Sequence, residues 1–167
     1  MPLPEALSPS PLDVEGNPSR SPIPYQKEPQ LLDRWCWAAV AVLVARAFYE
    51  DQWRQCDVAN KVLQRGDCCL NNPVCNNLEE LDRALDAVGH FNGQEGVPAE
   101  LQDVKDSIDA GNPVCARVDL GGGLYHFVMI YDYSGDDLFI GDPGYDDARV
   151  PYKEYKQQWM DTYWTQP

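Results

Sequence analysis

Two hydrophobic periods divide the chain. From Trp35 the stretch WCWAAVAVLVARAFY is apolar almost without interruption, which predicts a helix buried on every side rather than a surface helix. Val58, Val62 and Leu63 then carry a shorter helix that Gly66 stops. Leu78, Leu81, Leu85 and Val88 recur at helical spacing behind Asn77, a residue type that caps helices, and the pattern ends at Gly89. Pro98 suits the first turn of a fourth helix with Leu101, Val104 and Ile108 on one face and Gly111 after it. From Pro113 the period shortens: PVCARVDL, LYHFVMIYDY and DLFIGD read as strands, separated by the triglycine 121–123 and by SGDD at 134–137. An amphipathic YKEYKQQWM then precedes TYWTQ, a candidate to close the sheet. Helices first and an antiparallel sheet second predict an α+β domain, with no internal repeat.

Composition sets the limits of that domain. The chain has 167 residues and 44% apolar content, enough for one folded domain with a sizeable core. Residues 1–29 hold eight of the 14 prolines and few large apolar groups, so this segment is expected to be extended or disordered, with the ordered domain over 30–167. The prolines also interrupt any secretory pattern, so a signal peptide is absent or already removed. The longest apolar run, Trp35 to Ala45, is about half of what a bilayer requires, and no membrane insertion is expected. A net charge of −14 repels phosphate backbones and anionic lipid, which excludes nucleic acid as a natural partner and favours a basic peptide or protein segment. The same acidity also serves solubility.

Against this background a few residues stand out as chemistry. Cys36 opens the long apolar helix, where unsatisfied backbone N–H groups and the positive end of the helix dipole favour a thiolate. The competing reading makes Cys36 a buried filler of that helix. Of the two histidines, His126 sits within a strand and has a rigid mount, whereas His90 lies in a turn-like GHFNGQEG stretch and reads as a solvated surface group. The strand of His126 turns at SGDD and returns to Asp142, whose carboxylate can then fix one ring nitrogen of His126 and leave the other for a thiol. Gln30, six positions before Cys36, offers a side-chain amide to an oxyanion, with the Cys36 backbone N–H as a second donor.

Taken in order, Gln30, Cys36-Trp37, His126 and Asp142 resemble the papain-like cysteine peptidases. That resemblance implies a helical N-terminal lobe carrying the nucleophile, a C-terminal antiparallel sheet lobe, no cofactor, no metal, and a monomer acting on a protein or peptide. It implies an endopeptidase in which Cys36 forms an acyl-enzyme, His126 moves the proton, Asp142 orients His126 and Gln30 stabilises the oxyanion. His126 follows Cys36 by 90 residues. Plant papains and cathepsins place theirs about 130 to 150 residues downstream. Here too an aspartate replaces the usual asparagine. Both departures resemble the compact bacterial branch, which holds the leader peptidases of bacteriocin exporters and the secreted or injected effector peptidases. CWAA at 36–39, QCDVA at 55–59 and the paired Cys68-Cys69 resemble the effector type most, and no transporter segment accompanies them. The expected destination is therefore outside a bacterium, by secretion or injection.

The same triad also serves transglutaminases, deamidases and acyl transferases, so residue chemistry alone leaves hydrolysis and acyl transfer open. An idle papain-like binding module and a disulfide-stapled interaction protein with Cys36 in its core are the non-enzymatic alternatives. Cys115, in an apolar strand, reads as a small buried hydrophobe. Cys56, Cys68, Cys69 and Cys75 form disulfides, stay free or bind zinc. Their spacing lacks the short pairs of zinc sites, and adjacent Cys68 and Cys69 would bridge to Cys56 and Cys75 rather than to each other.

Overall fold

The computed structural model describes residues 23–167. The rest of the proline-rich segment, for which extended or disordered chain is expected, lies outside the described residues. Among the described residues five α-helices and six strands follow in the order α1 (Cys36–Ala47), α2 (Gln55–Leu63), α3 (Leu81–Ala87), β1 (Phe91–Glu95), α4 (Leu101–Asp109), β2 (Val114–Asp119), β3 (Tyr125–Ser134), β4 (Asp137–Gly141), β5 (Ala148–Pro151), α5 (Tyr152–Tyr155) and β6 (Trp159–Thr165). The α+β expectation holds, with the helices against one antiparallel sheet ordered β1-β6-β2-β3-β4-β5.

Burial explains the sequence pattern. α1 is covered by α2, α3 and β3, and every one of its residues except Arg46 is buried, as an all-round apolar helix requires. β3 is buried at eight consecutive positions from His126 to Tyr133, which is why its sequence reads as a continuous apolar run rather than an alternation. Among the described residues no helix is long and apolar enough to cross a membrane.

Several local expectations change. The ordered chain begins before Gln30: Ile23 is buried and Tyr25 stacks flat on Tyr131, 4.0 Å between ring centroids, so residues 23–29 form a strap across the sheet. α2 ends at a left-handed Gln64, two residues before the glycine expected to stop it. Asn77 does not cap α3; that helix starts behind Glu80, and the Asn77 carbonyl accepts the Trp37 indole N–H at 2.8 Å instead. The GHFNGQEG stretch contains strand β1, paired to β6, so His90 is buried rather than solvated. It stacks on Phe48 at 4.6 Å, with Nδ1 2.9 Å from the Gln166 carbonyl oxygen. A short stretch after the Asp142 turn adds β5 at the sheet edge, a strand with too few apolar residues to announce itself.

The sulfur chemistry of the helical side resolves into two disulfides, Cys56–Cys69 and Cys68–Cys75. Asp57 and Asp67 lie beside these sulfurs, but no thiolate remains there to hold a metal. The bridges close a loop of two short 3-10 turns, Cys68–Leu70 and Pro73–Cys75. This loop meets the start of α1: the Trp35 indole donates to the Cys75 carbonyl at 2.7 Å, and Asn76 binds the Arg34 N–H and the Asp33 carboxylate.

Candidate active site

Cys36 is the first residue of α1. No side chain caps that helix and no acidic residue stands in its first turn, so its backbone N–H groups and dipole face the thiol unopposed. Trp35 and Trp37 anchor the turn on either side, the first through its indole bond to Cys75 of the disulfide loop and the second through its bond to the Asn77 carbonyl just beyond that loop. Cys36 itself is buried, as the filler reading required, yet it is one of the two free cysteines and meets an imidazole.

That imidazole is His126. It stands near the start of β3, opposite Val118 of β2, and is almost fully covered. Its Nε2 lies 2.6 Å from Oδ1 of Asp142, and the Cys36 thiol is within hydrogen-bonding reach of the ring. Since Nε2 faces the carboxylate, Nδ1 is the nitrogen left for sulfur. Burial by itself would push the His126 pKa down, but the bonds and charges of Asp142 and Cys36 outweigh it and raise it to about 9.

Asp142 follows β4 directly. Its Oδ1 also accepts the backbone N–H groups of Gly144, at 2.9 Å, and Tyr145, at 3.0 Å, so the carboxylate both caps its own turn and holds the ring. Tyr145 covers the imidazole edge-on at 5.4 Å between centroids. Gly144 passes so near that a Cβ there would stand 2.9 Å from His126 Cε1.

Gln30 is also at the site, beside Gly144, but its amide is turned differently from the oxyanion donor expected. Nε2 donates to the carbonyls of Leu32 (3.1 Å) and Asp33 (2.8 Å), while Oε1 is buried without a partner. Exchanging the two atoms would set an oxygen against two carbonyl oxygens, so competition from these carbonyls fixes the orientation. In this arrangement Gln30 presents an acceptor to the site.

The structure thus brings together all four residues expected from the sequence. It adds Gly144, Tyr145 and the strap residues Tyr25 and Lys27, together with Asp147, which no motif had marked. Only the proximity of DPGYDD to Asp142 could have drawn attention to Asp147. Beside Trp35, on the helical side of Cys36, opens a cleft of about 500 Å³ whose apolar walls include Leu31, Leu32, Pro73 and the Cys56–Cys69 bridge. Cys115, the other free cysteine, is wholly enclosed, and burial pushes its thiol pKa up.

The profile of the Peptidase_C39 like family matches residues 21–166. None of the curated proteins matches the sequence. Among solved structures, the peptidase domain of Streptococcus ComA, a bi-functional ABC transporter involved in a quorum sensing pathway, is similar with a TM-score of 0.64 and 20% identity, covering 86% of this chain and 99% of that one. A C39-like peptidase from Bacillus anthracis is similar with a TM-score of 0.59 and 16% identity over 87% of this chain and 96% of that one. A double glycine motif protease from an AMS/PCAT transporter, solved in complex with its leader peptide, has a TM-score of 0.56 and 18% identity over 89% and 95%. At such identities the likeness shows the shared fold.

Proposed function

The chain belongs to the Peptidase_C39 like family of cysteine peptidases, and on that premise we propose that it is an endopeptidase acting through a Cys36-His126-Asp142 triad. The observation that carries this reading is the continuous line from the thiol through the imidazole to a carboxylate 2.6 Å away, at the uncapped start of a buried helix.

In this mechanism the Cys36 sulfur, its proton taken up by Nδ1 of His126, attacks the scissile carbonyl carbon. The oxyanion forms beside the Cys36 N–H and the α1 dipole. A substrate carbonyl that also reaches Gln30 competes with the Leu32 carbonyl, the longer of its two bonds, for an amide hydrogen. His126 gives its Nδ1 proton to the leaving amine as the C–N bond breaks, leaving a thioester on Cys36. Water then attacks the thioester, His126 takes a proton from it, and the carboxylic acid product leaves with the thiol regenerated. Asp142 keeps the ring aligned throughout.

The substrate in this proposal is an extended peptide segment with an apolar side chain seated beside Leu32 and Trp35; the leader-peptide complex of the double glycine motif protease supports a peptide ligand. Two disulfides support an oxidising destination outside the cell, consistent with a secreted or injected protease. The deciding experiment incubates the protein and its Cys36→Ala variant with a peptide library that includes Gly-Gly sequences, with mass analysis of products. New fragments made only by the native protein support the peptidase. Amine adducts or a deamidation mass shift would assign acyl transfer or deamidation instead, and identical products from both proteins would reject the triad.

A further inference from the structure

Asp147 is a buried carboxylate for which the triad gives no reason: its side chain has no exposed surface. Oδ1 accepts the Asp142 backbone N–H at 2.7 Å and pairs with the Lys27 ammonium at 3.2 Å, while Oδ2 accepts the Tyr25 hydroxyl at 2.7 Å. Lys27 also donates to the backbone carbonyls of Asp142 and Tyr145, the residues that hold and cover His126. One residue further along the strap sequence, Glu28 is bonded to Arg46 of α1 and to Gln55 of α2, so the strap is fastened at that end to the helices. At the other end Tyr25 lies against Gly141, whose missing side chain makes room for the ring.

Removing the Asp147 carboxylate from water is expensive, and its pairing with a partly exposed ammonium contributes little net stability compared with apolar residues of the same volume. What it supplies is geometry: Asp147 accepts from Asp142 and Lys27 donates to the Asp142 and Tyr145 carbonyls, so the pair ties both ends of the 142–147 turn to the strap. We propose that Asp147, gripped by Lys27 and Tyr25 of the strap, is a positioning residue that fixes the Asp142 backbone and through it the His126 ring. This rests on the triad reading. It makes the strap part of the catalytic apparatus, and it predicts that the strap acts on the rate and its pH dependence rather than on substrate affinity.

The test compares Asp147→Asn, Lys27→Met, Lys27→Arg and Tyr25→Phe, each with KM, kcat, the pH dependence of kcat/KM and thermal melting, on a peptide that the native protein cuts and Cys36→Ala does not. Asp147→Asn and Lys27→Met are expected to lower kcat by about tenfold or more with KM little changed, because a small misplacement of a catalytic group costs rate steeply. Their alkaline limb should move to lower pH as His126 loses its aligned partner. Lys27→Arg should recover much of the rate, and Tyr25→Phe, which keeps the stack on Tyr131 and loses one hydrogen bond, should lose only a few-fold. A folded Asp147→Asn with native kcat and native alkaline limb, differing only in melting temperature, would overturn the positioning role while leaving the triad intact. If no peptide is cut by the native protein and spared by Cys36→Ala, the triad itself fails, and the two failures are distinct.

Discussion

Gly144 lies against His126 with no room for a side chain: a Cβ on it would stand 2.9 Å from the ring Cε1 and the same distance from Gln30 Oε1. The Gln30 amide is held by the Leu32 and Asp33 carbonyls, and the ring is held by Asp142 and must turn as a unit. Gly144→Ala should therefore lower kcat by roughly ten- to a hundredfold, the scale of a small misalignment at a reacting centre, while melting changes little. Steady-state kinetics beside a melting curve checks this. Native kcat would mean that the 142–147 turn yields and does not constrain the ring.

The pH dependence follows from His126. Its pKa rises in the folded protein from the ordinary 6.5 to about 9. A raised basic group contributes stability that is fully present below about 6.5 and lost as pH rises through about 9. The melting-temperature advantage of the native protein over His126→Asn should thus hold at pH 6 and shrink by pH 9.5. Peptidase activity should fall on its alkaline side near pH 9, as a property of the coupled Cys36-His126 pair. Asp142→Asn, which removes the carboxylate charge, should bring that limb to lower pH.

Reduction should reach Cys36 through Trp35, whose indole is tied to Cys75 of the loop closed by Cys56–Cys69 and Cys68–Cys75. Each bridge closes a short loop and contributes roughly 2 to 3 kcal/mol in chain-entropy terms. A dithiol reductant should lower the melting temperature and slow alkylation of Cys36 in the protein that remains folded. The Cys68→Ser/Cys75→Ser double variant should do the same without reductant. Unchanged labelling of Cys36 after both bridges open would show that the loop does not seat it.

Gln30→Ala separates two roles for the amide. A working oxyanion donor is worth about a hundred- to a thousandfold in kcat. The resting bonds of Gln30 to Leu32 and Asp33 lead us to expect a smaller loss, near tenfold, since a substrate must first break one of them. A thousandfold loss would mean that the amide rotates freely into the donor position when substrate binds.

Much of this site was legible because its chemistry follows local rules. A thiol at the head of an apolar helix and a histidine in a buried strand are visible as residue patterns, and the SGDD turn placed Asp142 near His126. That any bridges from Cys68 and Cys69 would run to Cys56 and Cys75 followed from their adjacency, while which joins which is seen only in the folded chain. What stayed hidden depends on approach between distant segments. His90 reads as exposed until β1 and β6 pair beneath it. Lys27 and Tyr25 belong to a proline-rich stretch whose composition says nothing of a dock, and their partner Asp147 lies 120 and 122 residues away. The orientation of the Gln30 amide was decided by two carbonyls whose position only the folded turn defines.

The last strand has a consequence for the birth of the enzyme. β6 is not at the edge of the sheet but between β1 and β2, so until Trp159–Thr165 has left the ribosome the strand bearing Val118, the neighbour of His126, lacks one of its flanks. A partly synthesised chain therefore holds its nucleophile, histidine and aspartate without the frame that aligns them. Proteolytic competence would arrive only with that central strand, long after the cysteine has been made.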